Sequence, residues 1–423
     1  MAPPKRRAPP VTRTTGSHDP CIDPSSCATM PPHHVQTSLT MPDPALPPWA
    51  TLAPAEHAAL ARHEEALDAL LARGPLAFID YMGWALYDHE YGYYAARTVF
   101  GAHGDYVTAP LLSAHLAEAL ARQWAPILAD RKGSIMEVGS GNGQLAVDTL
   151  KALGRAGRLP DRYWMIERSA KRRDEARSRV ACEIPQWAER VSVVADWPDD
   201  EAVIIVANEL LDALPAQRFR MREGRAHPLF VVRDGTGTLG VSEGPADRDM
   251  TTALADLALA DGYESEVLPG VDAFLKQASG HLAHGVILLI DYGFPRAEFY
   301  HPQRRQGTLM CHFRQHAHPD PLILPGLQDI TVHVDFTAAA RAARALGLGL
   351  AGYTSQGAFL LALGIGDDMP ADERAALRAR QAIKRLTLPH EMGELFKVIA
   401  FSRGLDAPLQ GFRLLDRSRA LAL

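Results

Sequence analysis

The chain has 423 residues, 47% of them hydrophobic and 22% charged, and a net charge of −6. That length supports two or three domains with a sizeable core, and the near-balanced charge excludes the broad cationic field of a non-specific nucleic-acid binder. No apolar run approaches the ~18 residues of a membrane span, and four scattered cysteines do not make a disulfide framework. The expectation is therefore a cytoplasmic protein of a reducing compartment, with no membrane insertion and no nucleic-acid partner; its Ala-, Arg- and Leu-rich composition is that of a high-GC bacterium.

In chain order, residues 1–50 carry 12 of the 31 prolines. Such a segment cannot bury enough apolar surface to order itself. It reads as a disordered Pro-rich tail or an over-long start, with Met30 and Met41 as alternative first residues, and it lacks the apolar centre of a secretory signal. Residues 51–130 read as a helical N-terminal extension. "APAEHAALARHEEALDALLARG" is a helix closed by Gly74, and "LAFIDYMGWALYDHEYGYYA" is a second helix entering an aromatic loop. Tyr87, Tyr91, Tyr93 and Tyr94 there fit either surface packing or a lid over a ligand. "LLSAHLAEALARQWAPIL" is an amphipathic helix.

From 131 to 402 strands and helices alternate. Apolar runs at Ile135–Val138, Tyr163–Ile166, Val191–Ala195, Val203–Ala207 and Val286–Ile290 are mostly separated by helical stretches, which is the pattern of a parallel sheet covered by helices. The gap between the last two is too long for one crossover. It contains "PLFVVRDGTGTLGVSE", two alternating runs around a hairpin turn, so an inserted lobe is expected at about 216–284. A His-, Pro- and Arg-rich stretch at about 292–335 is expected to face substrate. Helical and strand patterns resume at Phe336, "ELFKVIAFSRG" is the last strand, and 403–423 form a C-terminal tail.

The most informative stretch is "SIMEVGSGNGQLAVDTL", Ser134–Leu150. A strand ends in Glu137, glycines follow at Gly139, Gly141 and Gly143, and a helix begins. Glycine lets the backbone turn sharply and approach a ligand closely, and the helix start offers free N–H groups. A dinucleotide fingerprint spaces its glycines G-x-G-x-x-G, whereas this chain has Gln144 at the last position. The form E-x-G-x-G-x-G resembles the first motif of class I S-adenosylmethionine-dependent methyltransferases. Glu167 ends the second strand, where a carboxylate can accept two ribose hydroxyls, and Asp196 ends the third, within reach of an adenine edge. Each acid has helix capping as its alternative role.

The fourth strand ends "ANELLDALP" (Ala207–Pro215). Together with "FIDYMGWALYDHEYGYY", "GDYVTAP", "LLIDYGFPRAEFYHPQRRQGTLMCHFRQHAHPDPL", "PGLQDITVHVDF" and "MGELFKVIAF", it resembles the MidA-like methyltransferases, a family that includes the mitochondrial complex I assembly factor that methylates arginine. The resemblance covers roughly residues 55–402. It implies an α/β, Rossmann-like class I methyltransferase core with a seven-stranded, mostly parallel sheet. It also implies that S-adenosylmethionine is bound by Gly139, Gly141, Gly143 and Glu167, beside which Glu137, Asp196 and Asn208 are further cofactor-binding candidates, leaving S-adenosylhomocysteine as product. The implied partner is a protein substrate, a respiratory NADH dehydrogenase subunit among the candidates; a homodimer is left open. The chain departs from the family between Leu111 and Ala117, so no ligand contact is carried over there.

Methyl transfer is an in-line displacement in which alignment supplies much of the gain. A guanidinium acceptor stays protonated, and a carboxylate can hold its fork bidentately. The candidate catalytic residues are Glu209 first, then Asn208, Asp212 and Asp291. Asp212 has capping of a helix at "DALP" as its alternative role, and Asp291 a structural hydrogen bond to the loop. His312, His316, His318 and His333 lack zinc-site spacing, and displacement at a sulfonium needs no metal, so none is expected. Three other readings remain: a small-molecule or different protein acceptor, an assembly factor that keeps the nucleoside pocket without turnover, and a nicotinamide oxidoreductase, which Gln144 disfavours.

Overall fold

The computed structural model describes residues 46–96 and 113–423, except 48, 315 and 406. The Pro-rich segment up to residue 45 and "GDYVTAP" lie outside the described residues. The N-terminal extension contributes α1 (Pro54–Leu71), β1 (Leu76–Ala77), α2 (Phe78–Tyr87) and α3 (His115–Asp130). The alternating core then runs β2 (Ser134–Val138), α4 (Gln144–Arg155), β3 (Tyr163–Ile166), α5 (Ala170–Glu183), β4 (Val191–Val194) and β5 (Ala202–Asn208). Four strands follow without a helical crossover onto the main sheet: β6 (Gln217–Arg222), β7 (Arg225–Arg233), β8 (Leu239–Glu243) and β9 (Glu264–Val267). Helix α6 (Pro269–His281) leads into the long β10 (Leu282–Phe294). The remainder comprises β11 (Met310–Phe313), β12 (His316–His318), β13 (Asp329–Thr331), β14 (Val334–Asp335), α7 (Phe336–Ala345), β15 (Gly349–Ser355) and β16 (Phe396–Arg403), with shorter helices between the last two strands.

The main sheet has the order β15-β16-β10-β5-β2-β3-β4, with β14 added beside the end of β10. Strands β10, β5, β2, β3 and β4 are mutually parallel. Strand β16 runs antiparallel between β10 and β15. The sequence explains why this sheet is buried on both faces. Ile204, Val206, Val286, Leu288, Ile290, Val398 and Ala400 enter one core with α3 and α4. Their alternates Ile205, Ala207, Ile287, Leu289, Ile399 and Phe401 enter a second core with α6 and α7. The two-residue period of a strand thus serves two apolar layers, which is why these strands read as continuous apolar runs.

Two boundaries differ from the sequence expectation. Helix α6 is not part of the inserted lobe: Val271, Phe274, Leu275 and Ala278 bury against the main sheet, so the lobe proper is the sheet of β6–β9. That sheet also takes in β1, paired antiparallel with β7 at Leu76–Val231, and "DGTG" is the β7–β8 hairpin turn. The last twenty residues are not a free tail. Leu409, Phe412 and Leu421 are buried, and the Gly411 amide donates to Gln123 Oε1 at 2.8 Å. Helix α2 buries Phe78, Tyr81, Met82 and Leu86 against Val231, Leu309, Ile330 and Val332. Extension, inserted lobe and the small β12-β11-β13 sheet therefore share one core. Among the described residues, no helix is long and apolar enough to cross a membrane.

Candidate active site

A cavity of about 940 Å³ opens at the carboxyl ends of β2, β3, β4 and β5, where open α/β sheets bind ligands. Its size is within the range of small-molecule sites. The turn after β2 supplies Gly139–Asn142 to the wall. Gly141 has φ +56°, and a Cβ there would meet nothing within 4 Å. Its backbone therefore faces open space in a conformation that side chains disfavour. Gly143 differs from expectation. It is not on the wall; it is the N-cap of α4 with φ +79°, and a Cβ there would stand 3.1 Å from Ala176 Cβ and 3.2 Å from Met165 Sδ. Its role is close packing of α4 on β3 and α5.

The two nucleoside-directed acids reach the cavity wall. Glu167 is largely buried. Its carboxylate accepts the Gly141 amide at 3.0 Å and the Ser169 amide at 2.8 Å, which leaves lone pairs for further donors. It thus braces the glycine turn rather than capping α5, whose N-cap is Ser169. Asp196 follows β4 and is exposed, next to Trp197, whose ring stacks on His281 with centroids 4.9 Å apart. Glu137 is buried and accepts the Tyr163 hydroxyl at 2.7 Å. Burial raises its pKa to about 8, against the lowering effect of that hydrogen bond, and the Glu167 charge adds to the rise.

The loop after β5 carries the first of the candidate catalytic residues. Asn208 Nδ2 donates to Glu209 Oε1 at 3.1 Å, and both residues line the cavity. Glu209 has φ +52°, a left-handed conformation that costs a non-glycine residue of order 1 kcal/mol and concentrates at functional sites. Asp212 and Asp291 do not line the cavity. No helix starts at "DALP"; residues 211–214 form a bend and turn, so the capping role for Asp212 falls away. Asp291 is 1% exposed. Its Oδ2 accepts the amides of Leu210, Leu211 and Asp212 at 3.1, 2.7 and 3.3 Å, and its Oδ1 that of Tyr292 at 2.8 Å. This is the loop-binding role, which explains its withdrawal from the wall. Burial first, then the charge of Asp291, push the Asp212 carboxyl well above the usual range, with Asp329 and Glu209 adding to the rise.

Of the aromatic loop that the sequence left between surface packing and a lid, part reaches the wall, and further wall residues were not singled out from sequence. Tyr87 and Tyr94 line the cavity, so two of the four tyrosines border the ligand space. The Tyr87 hydroxyl donates to Ala213 O and the Tyr94 hydroxyl to Asp329 Oδ1, each at 2.8 Å. Arg168, Lys171 and Arg172 form a cationic stretch of the wall, legible in hindsight as the basic run after Glu167. Phe274 and Gln277 come from α6, hidden by its assignment to the insertion. The histidines do not converge: His333 stacks on Phe294 at 5.1 Å, His316 and His318 pack on Trp49, and no metal-holding group occurs among the described residues.

The wall fits S-adenosylmethionine. It combines a side-chain-free turn at Gly141, a carboxylate with spare lone pairs at Glu167, and aromatic cover from Trp197 and Phe274. Ser140 Oγ and Asn208 Oδ1 are buried without a protein partner, an arrangement that a polar ligand satisfies. Fold and site together define a class I S-adenosylmethionine-dependent methyltransferase.

Comparison with known proteins narrows this. A family described as "Putative S-adenosyl-L-methionine-dependent methyltransferase" matches residues 115–354. A crystal structure of a protein from Burkholderia thailandensis bound to S-adenosyl-homocysteine is 38% identical, with TM-score 0.84 over 89% of this chain and 100% of that one. The mitochondrial protein arginine methyltransferase NDUFAF7 homolog of Drosophila melanogaster is 26% identical over 413 residues, covering 86% of this chain and 91% of that protein. The mouse protein arginine methyltransferase NDUFAF7 is 25% identical, covering 77% and 81%. The chain belongs to this MidA-like family of S-adenosylmethionine-dependent methyltransferases.

Proposed function

We propose that the methyl acceptor is an arginine side chain of a protein. The observation that carries this reading is the character of the acceptor side. Glu209, Tyr87 and Tyr94 line one cavity, and the buried Asp212 carboxyl interacts electrostatically with Glu209, Asp291 and Asp329. Such a wall favours a flat cation, which takes a carboxylate on its fork and an aromatic ring on its face. The fly and mouse relatives, both protein arginine methyltransferases by name, support the same acceptor.

Bound S-adenosylmethionine supplies an electrophilic methyl on a positively charged sulfur. Gly141, Glu167, Asp196 and Asn208 are the residues proposed to hold it. The chain's own task is positioning. Glu209 fixes the guanidinium plane, directs one nitrogen at the methyl and takes the proton that this nitrogen loses as its new bond to carbon forms, Asn208 fixes the Glu209 carboxylate, and the tyrosines keep water from the path. Aligning two bound reactants accounts for a large part of such a rate gain.

The test is methyl transfer with labelled S-adenosylmethionine in an extract of cells that lack this protein. Label in one protein band, mapped to arginine, is the expected result; the family resemblance directs the search to a respiratory NADH dehydrogenase subunit. Label confined to small molecules, or on another residue type, overturns the proposal.

A further inference from the structure

The strained backbone of Glu209 raises the question of what holds it. The amides of four successive residues, 209 to 212, all turn toward the end of β10. The Glu209 amide donates to Ile290 O at 2.9 Å, and the next three converge on one carboxylate oxygen of Asp291. A run of successive N–H groups around a left-handed residue forms a concave nest for an anion, and here the anion belongs to the protein. Asp291 lies in β10 in register with Lys397 of β16, in a strand paired on both edges within the main sheet, so its position is set by the central strands. Its second oxygen accepts the Tyr292 amide, which fixes the carboxylate plane.

We propose that Asp291 is a positioning residue for methyl transfer: its carboxylate fills the nest of Leu210–Asp212 and thereby holds Glu209 in the left-handed conformation that turns it to the cavity. The inference rests on the reading of Glu209 as the acceptor-binding residue. Asp291 itself stays off the cavity wall. It links the central strand to the loop, so its removal acts first on the geometry of that loop, which meets the glycine turn only where Leu210 packs on Gly139, while the hydrogen bonds of Glu167, after β3, go elsewhere.

The experiment compares Asp291→Asn, Asp291→Glu and Glu209→Gln in the full chain. It reads the rate of transfer to extract protein, the KM for S-adenosylmethionine, S-adenosylhomocysteine affinity, and hydrogen exchange of the peptide spanning 206–214. Asp291→Asn keeps one acceptor oxygen but sets an amide donor against a backbone donor. The expected result is a fall of at least tenfold in kcat, KM and product affinity within twofold of the parent, and faster exchange at Leu210–Asp212. Asp291→Glu, which keeps the charge on a longer stem, is expected to recover part of the rate. An unchanged kcat in Asp291→Asn overturns the proposal, provided Glu209→Gln is inactive. A parallel loss of cofactor affinity overturns it as well, since that marks general structural damage. Full activity of Glu209→Gln would instead remove the underlying reading of Glu209.

Discussion

At Gly141 a side chain would project into the ligand space from a backbone at φ +56°. The Gly141→Val variant is therefore expected to lose S-adenosylhomocysteine binding by 100-fold or more while remaining folded, at a backbone cost of order 1–2 kcal/mol. Quenching of Trp197, which lines the same cavity, reads the affinity; undiminished quenching would remove this turn from the pocket. Glu137 allows a second test, of stability against pH. Its carboxyl keeps a proton up to about pH 8 in the folded chain, against an ordinary value of 4.5. Between those values the native state binds more protons than the unfolded one, so stability falls as pH rises. The contribution is complete below about pH 4.5 and is lost on approach to pH 8. In Glu137→Gln that slope is absent. Urea unfolding at pH 5 and pH 8 should show the parent losing a few kcal/mol more than the variant, at about 1.4 kcal/mol per unit; equal losses would contradict the shift.

Among the elements, the parallel strands were legible because each is a short run with apolar residues on both faces, and most are set off from the next by a helical stretch. The glycine turn and Glu167 were legible for a related reason: a strand, a turn and a helix in immediate succession fix which atoms face the ligand. The fate of Asp212 and Asp291 was not legible. Both sit at strand ends beside Glu209, and which carboxylate enters the cavity depends on backbone amides supplied by a segment some 80 residues away. Helix α6 was misplaced because its apolar face, Val271, Phe274, Leu275 and Ala278, packs equally well on any sheet as far as periodicity can tell. The C-terminal segment yields to measurement at this scale. Phe412 is buried edge-to-face on Phe359, ring centroids 5.2 Å apart. Phe412→Ala should cost about 3–5 kcal/mol in a denaturation midpoint; a change under 1 kcal/mol would show these residues to be dispensable for the fold.

For the whole molecule, the acceptor side is assembled from parts remote in sequence. The extension reaches it through Tyr87 and Tyr94, the loop after β5 through Ala213, and the small sheet through Asp329. The proposed cofactor and acceptor sides thus draw on different segments of one cavity wall. Tyr94→Phe removes the tie to Asp329 but nothing from the glycine turn. The expected outcome is a severalfold rise in KM for the protein acceptor, with S-adenosylhomocysteine affinity unchanged, read by labelled transfer and calorimetry. An effect on product affinity alone would reverse this assignment of the two sides.

The place of β16 bears on how the chain reaches this state during synthesis. The strand begins at Phe396, late in the chain, yet it lies inside the main sheet between β10 and β15. Until the ribosome has released it, β10 and β15 have no partner between them, and the apolar flanks of a nascent β10 stay open to other chains. The central sheet therefore closes only after nearly the whole chain is available, through contacts between distant segments that make folding slow. A chain stopped before Phe396 would carry every residue of the proposed cofactor site and still lack the strand that joins β10 to β15.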